Sequence, residues 1–317
     1  MPQDPGPTRA AVAVRDPRSA YVSLLVVQLL FGLFPVAVKK VGDLHPLYIL
    51  AVRVTGAALC LLVLHALLAR NKVPVRKEFP QLALLTLLGV VLNMGLFLVG
   101  LRETEPLDAV LVITTIPVFT YALAVMLKRE TLGPRRALGI ALAMAGAVYL
   151  VYGAYQAQDA AHPNRALGDL LILANALCFA GFLVLGKPMM DKYDPLSVTT
   201  WMFVFGAVVA LPLGLLTGLP GQLRLLPSES LLWLAFIIIG PSVLTYLLNA
   251  RALRHVHAST VAAFTYVQPI FAAIAAYFLL GHAVQARILP AAALVFAGLW
   301  LVARKEPKIL EGQVVGE

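Results

Sequence analysis

Charged side chains are scarce: they make up 13% of the 317 residues, while hydrophobic residues make up 60%. An ordinary soluble domain carries about 25% charged residues, so water is not the solvent this chain is built for. Cysteine is nearly absent. Cys60 and Cys178 each sit inside an apolar run, without the spacing or company of metal ligands, so both read as packing residues and no metal site is expected. There is no HExxH pair, GxSxG elbow, Walker loop or Asp-rich diphosphate motif. No nucleophile therefore stands beside its base, and neither a catalytic residue nor a cofactor is expected. Acid is missing from one place in particular. Asp43, Glu103, Glu105, Asp108, Glu130, Asp159, Asp169, Asp191, Asp194 and Glu229 all lie between apolar runs or at their ends. Exchange of an organic cation for a proton needs a buried acid that can hold either, so that mechanism is disfavoured. Proton coupling would have to use an edge group such as Asp108 or Glu130, or one of His255, His257 and His282.

What remains is a series of apolar runs near 20 residues long: 21–40, 47–68, 81–101, 107–127, 136–153, 168–187, 196–217, 230–250, 260–280 and 288–303. Each is long enough to cross a bilayer as a helix. They are continuous rather than alternating, which argues against a β-barrel. The net charge of +9 comes from Lys and Arg scattered between the runs, with no aromatic-interleaved patch, so no nucleic-acid partner is expected. With the N-terminus inside, inner connections hold 18 Lys and Arg against 6 in outer ones. Cytoplasmic loops retain positive charge. The sequence thus predicts a multi-pass protein of the cell (inner or plasma) membrane with both termini cytoplasmic, residues 1–20 and 305–317 forming the tails. The partners expected are the lipid bilayer and a small-molecule substrate, with the protein a monomer or a homodimer.

The chain also repeats itself. A shift of 152 residues superposes Leu101-Arg102 on Leu253-Arg254, Pro117-Val-Phe119 on Pro269-Ile-Phe271, Arg135 on Arg287 and Gly146 on Gly298. A shift of 148 pairs Phe31 with Phe179, Lys39 with Lys187 and Asp43 with Asp191. Five runs per copy is an odd number, so the second copy enters the membrane upside down. Loop charges agree: KRETLGPRR carries four Lys or Arg where its counterpart LGHAVQAR carries one. The fold class predicted is all-α integral membrane, ten transmembrane helices in two inverted five-helix repeats (21–153 and 168–304) around a central cavity. Two similar halves of opposite orientation can expose a midplane site to either face in turn.

The pattern FGLFPVAVK in the first run, Arg53 in the second, the stretch DAVLVITTIPVFTYALAVMLKRETLGPRRALGIALAMAGAVYLVYG and its echo from Val261 to Arg304 resemble the paired EamA domains of the drug/metabolite transporter superfamily. The resemblance covers residues 20 to 304. It implies a ten-helix transporter with a cavity between the halves, usually an exporter of amino acids, metabolites or drugs. The second copy departs from the pattern in having His282 where the first has Glu130.

Polar groups inside the apolar runs are costly and mark a candidate pathway. Arg53 either attracts an anionic or carboxylate-bearing solute, or snorkels outward or pairs with helix-end carbonyls. The uncharged candidates are Asn93, Thr114, Tyr121, Asn175, Tyr246, Asn249, Tyr266 and Gln268, drawn from a broader set that includes Gln28; several are expected to bond only between helices. Pro117 and Pro269 each free a backbone carbonyl one turn earlier and are expected to mark distortions that face the cavity. The favoured function is export of a neutral, zwitterionic or weakly anionic metabolite, amino acid-like. The alternatives are a sugar-phosphate or nucleotide-sugar translocator drawn by Arg53, Lys39 and Lys187, and an intramembrane transferase.

Overall fold

A computed structural model of the chain describes residues 17–42, 44–69, 73–104, 109, 112–155, 164–217, 226–280 and 288–303. Among them the regular structure is helix, in ten rods. In order they are α1 (Pro17–Val41), α2 (Pro46–Leu68), α3 (Val75–Glu103), α4 (Ile116–Met126), α5 (Pro134–Tyr155), α6 (Arg165–Lys192), α7 (Pro195–Leu215), α8 (Ser228–Leu253), α9 (Ala258–Ala263 continuing into Gln268–Leu280) and α10 (Ile288–Ala303). Seven helices in the described residues are long and apolar enough to cross a membrane, and Ile116–Met126 and Leu289–Ala303 are apolar but shorter. Leu59, Leu67, Val208, Leu216 and Phe278 are exposed on the outside of the bundle. Lipid accepts such a surface; water does not.

Local chemistry sets the ends and the breaks. Pro46 and Pro195 open α2 and α7 at the first helical position, and the side chains of His45 and Asp194 accept from the backbone N–H of Leu47 and Leu196 at 3.2 Å each. Proline lacks only an N–H that has no helical partner there, and the cap satisfies another. Two rods contain a π segment: Leu87–Val91 in α3 and Ile239–Leu244 in α8. These begin 152 residues apart (239 less 87). A π segment shifts the carbonyl pattern by one residue and leaves groups free to bond sideways.

The fourth run was expected to be one helix over 107–127; it is broken by a turn at Thr114–Thr115 before α4 begins at Ile116. Its counterpart α9 tightens into a 3-10 turn over Phe264–Val267 before Gln268. Each distortion lies in the turn before a proline, which offers no N–H to the carbonyl four residues earlier, Ile113 or Thr265, and whose ring crowds it. α3 also starts six residues before the expected 81 and carries Pro80 inside it, at the cost of one helical hydrogen bond. α1 reaches back to Pro17, into the stretch read as tail.

Helices pack in pairs: α5 against α10, α2 against α7, α3 against α6, and α1 against α8 and α9. The α5–α10 crossing is made by small residues. A Cβ on Gly298 would stand 2.5 Å from the Gly139 carbonyl oxygen, and one on Gly146 2.8 Å from that of Ala291. Early positions of one helix meet late positions of the other, so the two run antiparallel. Tyr21 Oη donates to the Ala303 carbonyl at 3.2 Å, which puts the start of α1 and the end of α10 on one face, called here the terminal face.

Candidate functional site

A cavity of about 80 Å³ lies between the halves. α1 contributes Gln28, Phe31 and Phe34, and α2 contributes Arg53. α3 adds Asn93, Met94 and Phe97; the break before α4 adds Ile113 and Ile116; α6 adds Asn175 and Phe179. Tyr246 and Asn249 come from α8, and Val261, Thr265 and Gln268 from α9. Positions 152 residues apart therefore face the same space. At Ile113 and Thr265, Ile116 and Gln268, Phe97 and Asn249, the first copy supplies an apolar side chain and the second a polar one. At these three pairs of positions the two sides of the cavity differ in polarity.

Arg53 is 3% exposed. Its Nε donates to Ser242 Oγ at 2.7 Å and its Nη2 to the Pro241 carbonyl at 2.9 Å, both within the π segment of α8. The Ser242 hydroxyl donates its own hydrogen bond to the Ile237 carbonyl at 2.9 Å, so its oxygen is set to accept from Arg53. The guanidinium stands over the Phe34 ring, 4.5 Å from its centroid, a cation–π arrangement. From the same π-bearing rod, Tyr246 Oη reaches the Gly89 carbonyl at 2.5 Å and Asn93 Oδ1 at 3.1 Å. Asn175 Nδ2 donates to the Asn93 carbonyl at 2.5 Å. Both π segments thus hand carbonyl oxygens to side chains around the cavity. Gln28, 3% exposed, lines the cavity with its Oε1 unpartnered.

The structure brings six of the sequence candidates to this cavity: Arg53, Asn93, Asn175, Tyr246, Asn249 and Gln268. Thr114, Pro117, Tyr266 and Pro269 are buried beside it without lining it; their neighbours Ile113, Ile116, Thr265 and Gln268 do so instead. Tyr121 turns away, accepting from the Gly133 N–H at 2.8 Å and ordering the connection between α4 and α5. Asp108 lies outside the described residues, as does His282. Sequence reasoning passed over Ser242 and the ring of Phe31, Phe34, Phe97 and Phe179. One signal existed for the rings, the pairing of Phe31 with Phe179.

Glu130 lies elsewhere, on a second cavity of about 550 Å³ formed by the end of α4, the end of α6 and the start of α9. Its carboxylate takes Arg136 Nη1 at 2.8 Å, the Ser259 backbone N–H at 3.1 Å and the Ser259 hydroxyl. Lys187, on the same cavity, donates to the Leu253 carbonyl at 2.5 Å and pairs with Asp191 at 3.4 Å. Lys192 pairs with Glu78 at 2.7 Å, and Tyr193 donates to the same carboxylate oxygen at 2.7 Å.

Long apolar helices around a cavity lined by both polar and aromatic side chains define a multi-pass membrane protein. The chain belongs to the EamA-like transporter family, whose model matches residues 18–152 and again 166–304. It is similar to an uncharacterized transporter of Archaeoglobus fulgidus, 28% identical over 233 residues, covering 74% of this chain and 79% of that protein. The uncharacterized transporter YyaM of Bacillus subtilis is 29% identical over 259 residues, covering 81% and 85%. Protein WALLS ARE THIN 1 of Arabidopsis thaliana is 26% identical over 269 residues, covering 72% and 68%. A crystal structure of a protein 19% identical superposes with a TM-score of 0.71 over 90% of this chain and 96% of that one, a likeness of fold.

Proposed function

We infer that the protein exports a small neutral, zwitterionic or weakly anionic solute, amino acid-like in size, across the cell membrane by alternating access. The observation that carries this reading is the central cavity: neutral polar groups, aromatic rings and one buried guanidinium, with no carboxylate among its lining residues. An organic cation finds no counter-charge there. A phosphate ester carries about two charges and calls for several cations, whereas Lys187 is committed to the Leu253 carbonyl and Asp191 on the other cavity.

The transport mechanism rests on ten membrane helices in two inverted repeats. Three features support that arrangement: π segments 152 residues apart, helix breaks at matched positions before Pro117 and Pro269, and an antiparallel α5–α10 crossing made by matched small residues. The loop charges support cytoplasmic termini. The cavity is smaller than the roughly 300–1,000 Å³ of sites for drug-sized ligands, which favours a compact solute.

The test is reconstitution into liposomes, with labelled amino acids, organic cations and sugar phosphates offered with and without a pH gradient. Counterflow confined to amino acid-like solutes is expected. Turnover of a lipid substrate without solute flux would overturn the transporter assignment in favour of a transferase, and flux confined to sugar phosphates would replace the solute class.

A further inference from the structure

We propose that the solute carries a carboxylate that docks on Arg53, with an apolar body lying against the wall that α3 and the start of α4 present. This names the substrate class of the central cavity and rests on the transport reading above. Arg53 has five N–H donors. Two are placed by Ser242 Oγ and the Pro241 carbonyl, and the face of the group is covered by Phe34. All three partners are neutral, and no carboxylate among the described residues pairs with Arg53. A buried charge without a counter-charge is costly and is strongly destabilising when left alone. Here the counter-charge has a place to come from, because Arg53 lines the cavity with three donors unplaced.

The clamp by Ser242 and Pro241 fixes the guanidinium plane, and a fixed planar fork matches a carboxylate through two parallel N–H···O bonds. Gln28 supplies a second, independent demand. Its Oε1 is buried at the same cavity with no hydrogen-bond partner, so a ligand that also carries an N–H or O–H, as an amino acid does, satisfies what the protein leaves open. The rest of the ligand meets Phe97, Ile113 and Ile116 on the first-copy side, which favours an uncharged, apolar body.

The experiment uses the full-length protein in lipid nanodiscs and compares acids with their own amides: hexanoate with hexanamide, phenylacetate with phenylacetamide, and L-leucine with L-leucinamide. Equilibrium binding is measured for each probe, and proteoliposome counterflow for the labelled acids and amides. In the wild type, at least one acid is expected to bind ten times more tightly than its amide. Arg53→Gln is expected to bring that pair to within about twofold, and Arg53→Lys, which keeps the charge but not the fork, to leave an intermediate preference. If no acid outbinds its amide, including the case in which nothing binds, the assignment falls. It also falls if Arg53→Gln keeps the preference. Should Arg53→Gln fail to fold, the wild-type comparison and Arg53→Lys decide, and an unchanged preference in Arg53→Lys counts against the fork. Acid-selective binding without flux would leave this assignment standing and overturn the transport reading; flux indifferent to acid or amide would do the reverse.

Discussion

Glu130 and Arg53 are both buried charged groups on cavities, and the protein treats them in opposite ways. Glu130 is surrounded by Arg136, the Ser259 amide and the Ser259 hydroxyl, which join the α4–α5 connection to the start of α9. Among the described residues, Arg53 is held by neutral groups from α8 and α1. A buried charge whose needs are all met within the chain holds structure together. One whose needs are met only in part, at a cavity, is poised for a ligand. The larger cavity is therefore not automatically the substrate site: Glu130, Lys187, Asp191 and Lys192 on it are each paired within the chain.

Glu130→Ala offers the largest break in this comparison. It leaves Arg136 buried without its carboxylate, and removal of one partner from a buried pair costs about 3–5 kcal/mol. A large drop in melting temperature of the detergent-solubilised protein is expected; a melting temperature equal to wild type would place Glu130 with the groups that need no partner. Arg53→Gln is next and acts on the other axis. Flux of a carboxylate solute is expected to fall more than tenfold, about 1.4 kcal/mol, while the melting temperature holds or rises because an unneutralised charge has been removed. A clear loss of stability with unchanged flux would make Arg53 a second Glu130. Tyr246→Phe removes the bond from α8 to the Gly89 carbonyl; bonds between membrane helices average about 0.6 kcal/mol, so a small stability loss by chemical unfolding is expected. Pro269→Ala is the mildest. It should alter uptake by a few fold with little change in melting temperature, since Pro269 stands at the start of a regular segment, and wild-type kinetics would detach the 3-10 turn from transport.

The helical runs were legible in the sequence because length and apolarity are one-dimensional properties. So were the two distorted helices, because proline announces its effect on the turn before it. The cavity was legible only in part. Tyr266 and Gln268 are two residues apart on α9, yet only Gln268 lines the cavity. Which of them faces inward depends on rotation about the helix axis. In a helix apolar on every side, that rotation leaves no stripe to read. Tyr121 shows the same limit from the other direction: a polar side chain in an apolar run can be spent on its own loop. The four phenylalanines of the cavity stood in no contrast to their apolar neighbours, and Ser242 depends on a π segment that no single residue type signals.

The α5–α10 crossing has a further consequence. The contacts of Gly139 with Gly298 and of Gly146 with Ala291 exchange places when 152 is added to the earlier member of each and taken from the later. A surface that contacts its own equivalent in this way is isologous, the kind of interface by which two identical subunits close a twofold dimer. This chain carries such an interface between two parts of itself. The ordinary logic of homodimers therefore applies inside a single polypeptide, with one difference: each side can be altered alone, so the two members of every symmetric contact are free to diverge.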